Sequence, residues 1–211
     1  MDNENIDDKN MIEMETYEEG NILQNRRTSA SMSLFTIISE ILGNLSGKNI
    51  YFKYDENKTL YIFTDDGGFS EEDKKAIILK YRSGQRVNTA GINGIGIRQI
   101  MDRISTSGDC ILMTVNENEK IKRYFRYCEK PSWKTSKEWE NLSDNDIVEY
   151  NNICNKCKLE NETKGTYWTI PINDEYHNIF IKEKDNICNI CKRFFNVKIT
   201  NRSLNFYYND E

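Results

Sequence analysis

Apolar residues recur along the chain in two different rhythms, and each change of rhythm marks an element. Between Ser33 and Ser46, Leu34, Ile37, Ile38, Ile41, Leu42 and Leu45 return at steps of three and four. That spacing predicts a helix with one buried face, and the Ser/Thr-rich stretch from Thr28 to Ser33 offers its N-cap. The rhythm then changes to two short alternating runs, Asn49 to Tyr54 and Thr59 to Thr64, separated by Asp55-Glu56-Asn57-Lys58. This reads as an antiparallel hairpin. Ser70 followed by three acids predicts a helix to about Tyr81, because the hydroxyl caps and the carboxylates oppose the helix dipole. A polar loop over 82–93 and a second helix over about Ile95 to Ile104 follow. The later strands are Asp109 to Val115, Lys120 to Cys128 and Thr166 to Ile172. Glu175 to about Asn196 reads as mostly helix, and Val197 to Tyr208 as ending in a strand. Glu129 to Lys164 shows no clear period despite Trp133 and Trp139, and is read as an insertion.

Composition refines this picture modestly. The 211 residues suffice for one domain with its own core. No apolar run reaches the roughly 18 residues of a membrane span, and no secretory signal pattern opens the chain. The expectation is an intracellular protein, cytoplasmic or nuclear, with no membrane partner. The net charge of −5 is uneven: residues 1–20 hold eight acids against Lys9, which leaves that stretch at −7 and the rest at +2. Residues 1–27 are read as an acidic, partly disordered arm and residues 28–211 as the folded domain, with the insertion at about 129–164.

Four short elements carry candidate chemistry. Glu40 and Asn44 lie four apart on the first helix, which puts a carboxylate and a carboxamide on one flank of its apolar stripe. Two polar residues on a solvated helix side would have the same spacing. Asp65-Asp66-Gly67-Gly68-Phe69 ends the second hairpin strand; a carboxylate there can accept from an exocyclic amine while bare backbone admits a flat ring. An ordinary Asp-Gly turn has the same composition. Gly91-Ile92-Asn93-Gly94-Ile95-Gly96, with Ile97 following, opens a helix, where freed amides and the helix N-terminus suit phosphate oxygens. Its spacing is neither that of a dinucleotide fingerprint nor that of a P-loop. Lys164-Gly165-Thr166 opens a late strand.

In this order and at these separations, the four elements resemble the GHKL (Bergerat-fold) ATPase superfamily. It includes gyrase, MutL, the heat-shock chaperone ATPases, topoisomerase VI and the MORC proteins. The resemblance runs from Leu34 to about Tyr208 and looks closest to MORC-type and topoisomerase VI-type domains. It implies an α/β (α+β) fold, a two-layer sandwich of a mixed, mostly antiparallel sheet with helices on one face. It also implies ATP and Mg²⁺ as ligands. Glu40 would be the general base that activates the attacking water, and Asn44 the Mg²⁺ ligand. Asp65 would accept the adenine amino group, with Gly67 and Gly68 giving the base room. Gly91, Asn93, Gly94, Ile95, Gly96 and Ile97 would form the lid and phosphate cradle, and Thr166 would join the network around adenine. A homodimer closing on ATP is the implied assembly.

The chain also departs from that pattern. Where the family has Asp-Ala three and four residues after the magnesium Asn, this sequence has Gly47 and Lys48. The glycine motif is one residue short, or has Phe69 in place of its second glycine. Gyrase and MutL continue into a second domain that donates a lysine to the γ-phosphate, and this chain ends sooner. Slow turnover, or a partner protein supplying that lysine, is the expectation. Histidine kinases share the fold, but the lone His177 lies downstream of every motif, which argues against kinase activity.

Two further features stay open. Cys154, Cys157, Cys188 and Cys191 form two C-x-x-C pairs, suited to a structural Zn²⁺ or to buried free thiols. The segment Lys120 to Lys137 mixes Lys122, Arg123, Arg126, Lys130 and Lys134 with Tyr124, Phe125, Tyr127 and Trp133. It is either a basic stacking patch for nucleic acid or a strand with a solvated face. The rival to the ATPase reading is a non-catalytic scaffold that keeps the fold and binds a partner through residues 129–164.

Overall fold

A computed structural model describes residues 8–13, 33–43, 45–77, 104–105, 109–127, 133–196 and 203–209. A nine-stranded mixed sheet carries helices on both faces. After a short 3₁₀ turn at Asp8–Asn10, the elements are β1 (Met11–Glu13), α1 (Leu34–Gly43), β2 (Asn49–Tyr54) and β3 (Thr59–Thr64). Next come α2 (Glu71–Ile77), β4 (Asp109–Val115), β5 (Lys120–Tyr127), β6 (Trp133–Ser136) and β7 (Glu140–Asn141). The chain continues through α3 (Asp144–Lys156), β8 (Gly165–Pro171), α4 (Asp174–Lys182), α5 (Lys184–Phe194) and β9 (Asn205–Tyr208). Across the sheet the order is β1-β6-β5-β4-β8-β3-β2-β9, with β7 paired to β5. Every pairing is antiparallel except β2 with β9.

The two faces follow from the period of two along each strand. Ile50, Phe52, Leu60, Ile62, Leu112, Trp168 and Ile170 point to one face. There Ile37, Ile38, Ile41 and Leu42 of α1, Phe180 of α4 and Ile187 of α5 cover them. Each of these four α1 side chains has no exposed surface, so the predicted stripe is buried in full, at about 1.5–3 kcal/mol per large aliphatic side chain. The intervening residues Tyr51, Phe63, Met113, Val115 and Tyr167 point to the other face, where α3 covers them with Tyr150, Ile153, Cys154 and Cys157.

That second layer corrects one expectation: helices do not lie on one face only. Within residues 129–164, read from the sequence as an insertion, β6 extends the sheet beyond β5, and α3 with the flanking Leu142 and Cys157 supplies five of the ten buried residues of the second core. The helix was obscured because only Tyr150, Ile153 and Cys154 of its thirteen residues are buried, too narrow a stripe to read as a period. Its start was legible: Ser143 and Asp146 form a reciprocal capping box, with Ser143 Oγ accepting from the Asp146 amide and Asp146 accepting from the Ser143 amide. The region read as mostly helix after Glu175 is two helices, divided at Glu183. Among the described residues no helix is long and apolar enough to cross a membrane.

Candidate functional site

One end of the central strands carries a row of polar residues on the face that α1 covers. Thr64, Thr166 and Thr114 are register partners across β3, β8 and β4, and each continues the line of core residues Ile62, Trp168 and Leu112. All three are buried, so each hydroxyl needs a partner. Thr64 Oγ1 accepts from the Gly47 amide at 3.0 Å, and Thr114 Oγ1 from the Phe69 amide at 2.7 Å. Thr166 donates to the carboxylate of Asp66, 2.9 and 3.1 Å from its two oxygens.

The two aspartates that follow β3 have different fates. Asp65 accepts from the Asn49 amide at 2.7 Å and from the Asn49 side chain at 2.6 Å. Asn49 in turn accepts from the Asn205 side chain at 2.8 Å. Asp65 therefore ties the end of β3 to the starts of β2 and β9. Asp66 instead reaches Thr166 and accepts from the Gly68 amide at 3.1 Å. The sequence pointed to Asp65 as the partner of Thr166; the structure brings Asp66 there.

The glycines of this loop have separate reasons. Gly67 and Gly68 both lie at positive φ, +88° and +75°. A Cβ on Gly68 would come within 2.2 Å of the Val115 carbonyl, whereas one on Gly67 would meet no described atom within 4 Å. Gly68 lets the loop pack on the end of β4, and Gly67 leaves bare backbone toward which a flat group can approach. Gly47 also has a physical reason: a Cβ there would lie 2.3 Å from both Asp65 Oδ1 and Thr64 Oγ1. The loop is held further by the Asn116 side-chain amide, which donates to the Phe69 carbonyl at 2.8 Å.

Other candidates are distributed as follows. Glu40 belongs to α1, on the face that carries Thr166, and its side chain lies outside the described residues. Asn44, Gly91, Asn93, Gly94, Ile95, Gly96 and Ile97 also lie outside them. Lys74 and Lys164 are both engaged by carboxylates. Lys74 pairs with Glu71 and, at 2.6 Å, with Glu119, and Lys164 pairs with Glu117 at 2.5 Å. His177 shares a hydrogen bond with the Tyr54 hydroxyl through Nδ1, away from the motif loop.

The two cysteine pairs lie on opposite faces of the sheet, Cys154 and Cys157 under α3 and Cys191 in the α1-side core, so a four-thiolate zinc site is ruled out by geometry. Among the described residues no cluster of three or more metal-ligating side chains forms. Burial pushes the thiols up, Cys154 to about 11 and Cys157 and Cys191 to about 12, as expected of core residues.

The basic segment is likewise dispersed. Lys122 and Arg123 are buried and point to opposite faces, Lys122 pairing with Asp146 at 2.9 Å. Arg126 is held bidentately by Asp109, and Lys120 pairs with Glu162. Among the described residues, charges paired in this way form no continuous phosphate-binding track. Lys130 lies outside the described residues.

No protein-family model matches the chain, and no curated protein matches its sequence.

Proposed function

We propose that this chain binds ATP with Mg²⁺ and hydrolyses it slowly, as a GHKL-type ATPase that works as a nucleotide-controlled conformational or dimerisation switch. The observation that carries the reading is the Asp66–Thr166 pair. A carboxylate and a hydroxyl meet beside two positive-φ glycines, on the sheet face covered by the helix that bears Glu40. A carboxylate offers about four lone-pair positions and only accepts, which is the chemistry that an adenine amino group requires of its partner. Adenine offers that donor and guanine presents a carbonyl there, so ATP is preferred over GTP. In this reading Asp66 recognises the base and Asp65 holds the strands that carry it.

The remaining roles rest on the resemblance. Glu40 takes the proton of the attacking water. Bound Mg²⁺ neutralises charge on the phosphate oxygens, and Asn44 is the residue assigned to hold it. Slow turnover fits the departures at Gly47, Lys48 and Phe69, and fits the engagement of Lys74 and Lys164 by carboxylates. A lysine for the γ-phosphate would come from a partner or the second copy of a homodimer.

Titration of ATP·Mg²⁺ into wild type, Asp66→Asn, Asp65→Asn and Glu40→Ala, followed by turnover, tests the proposal. Asp66→Asn should weaken ATP binding by about tenfold or more, the scale of a lost charged hydrogen bond. Asp65→Asn should retain affinity and lose stability, and Glu40→Ala should bind without turnover. Wild type that binds no ATP would leave the scaffold reading in its place.

A further inference from the structure

Arg123 is a charged residue with only 3% of its surface exposed. Among the described residues, no carboxylate lies within ion-pair distance of it. Its donors go to β6 and the turn after it: Nε donates to Thr135 Oγ1 at 2.8 Å, and Nη2 to the carbonyls of Ser136 and, at 3.3 Å, Lys137. The guanidinium lies 5.4 Å from the centre of the Trp139 ring. Burying a cation in this way is costly unless the arrangement returns something. What it holds is Trp139, the last described residue before β7, whose ring meets Phe69 edge to face with centroids 6.3 Å apart. Phe69 closes the motif loop, its amide on Thr114 and its carbonyl on Asn116.

We infer that Trp139, fixed by Arg123, is a positioning residue for the Asp66–Phe69 loop. The indole packs edge to face on the Phe69 ring, and with that ring fixed the Phe69 amide stays on Thr114 and the Gly68 amide on Asp66, which keeps Asp66 in reach of Thr166. Phe69 thus gives the loop an aromatic anchor that a smaller side chain could not supply.

The ligand side of this inference rests on the ATP reading, and the loop side does not. Hydrogen exchange is therefore measured at the Gly68 and Phe69 amides in wild type, Trp139→Ala and Trp139→Phe, alongside ATP affinity and turnover. Trp139→Ala should speed exchange at these amides by about tenfold or more, with the amides of β2 unchanged. It should raise the Kd for ATP by about tenfold and change kcat little, and Trp139→Phe should restore both. Exchange at Gly68 and Phe69 within twofold of wild type in Trp139→Ala would overturn the inference. So would a rise shared by β2, or a failure of Trp139→Phe to rescue. If no variant binds ATP but exchange rises locally and Trp139→Phe rescues it, the positioning role stands and the nucleotide reading falls.

Discussion

Asp65 and Asp66 are adjacent and chemically identical, and their separation of roles is decided by which donors each one meets. Asp65 takes two N–H groups of Asn49, so Asp65→Asn should cost about 1–3 kcal/mol in urea denaturation, because an amide turned toward donors leaves a buried group unpaired. Gly47→Ala should cost a similar amount, about 1–3 kcal/mol, since its Cβ would press on both Asp65 and Thr64. On the opposite face, Glu149 accepts from the Tyr167 hydroxyl at 2.7 Å. Burial raises its carboxyl pKa and Asp146 adds to the rise, while the Tyr167 hydrogen bond and Lys122 pull it down without cancelling it. A raised acid pKa means that the folded state holds the proton more tightly. The associated stability is complete below the unfolded value of 4.5 and is lost as pH rises through the folded pKa. Glu149→Gln should therefore be more stable than wild type at pH 7, and the gap should close by pH 4 in denaturation curves taken across that range. The sequence narrowed the candidate acceptor carboxylate to one loop. The choice between neighbours depended on the turn after β3, which alternation does not specify.

The hairpin and α1 were legible because each element contains its own complete signal. Six alternating residues, a four-residue turn and six more reproduce β2 and β3 at their observed limits, and the stripe of α1 is wide and aliphatic. α3 is the opposite case. It is anchored by a few large contacts, among them Tyr150, whose ring meets Phe63 edge to face at 5.7 Å and whose hydroxyl donates to the Thr163 carbonyl at 2.9 Å. Tyr150→Ala should cost about 3–5 kcal/mol, the scale of an aromatic deleted from a core. A loss below 1 kcal/mol by chemical denaturation would show that α3 adds little to the core. The break between α4 and α5 falls at Glu183, where no glycine or proline announces it.

At the scale of the whole molecule, the sheet separates what the sequence grouped. Two C-x-x-C pairs are placed on either side of a layer of strands, Cys154 and Cys157 in one core and Cys191 in the other. Purified protein should carry less than one equivalent of zinc, and chelation should leave its Tm unchanged. The run of basic residues over β5 and β6 is divided in the same way, its side chains alternating between faces and ion pairs. Conversely, the sheet joins what the sequence separated: residues 66 and 166 meet because β3 and β8 pair in register. By itself the sequence determined the elements whose periods are internal, α1, the hairpin and the central strands, together with the short list of polar residues able to do chemistry. Only the tertiary structure decided which face each residue joins, which aspartate meets Thr166 and which cysteines stay apart. Those outcomes depend on strand order and register, set by contacts between residues as many as 156 positions apart in the chain, which no local pattern records.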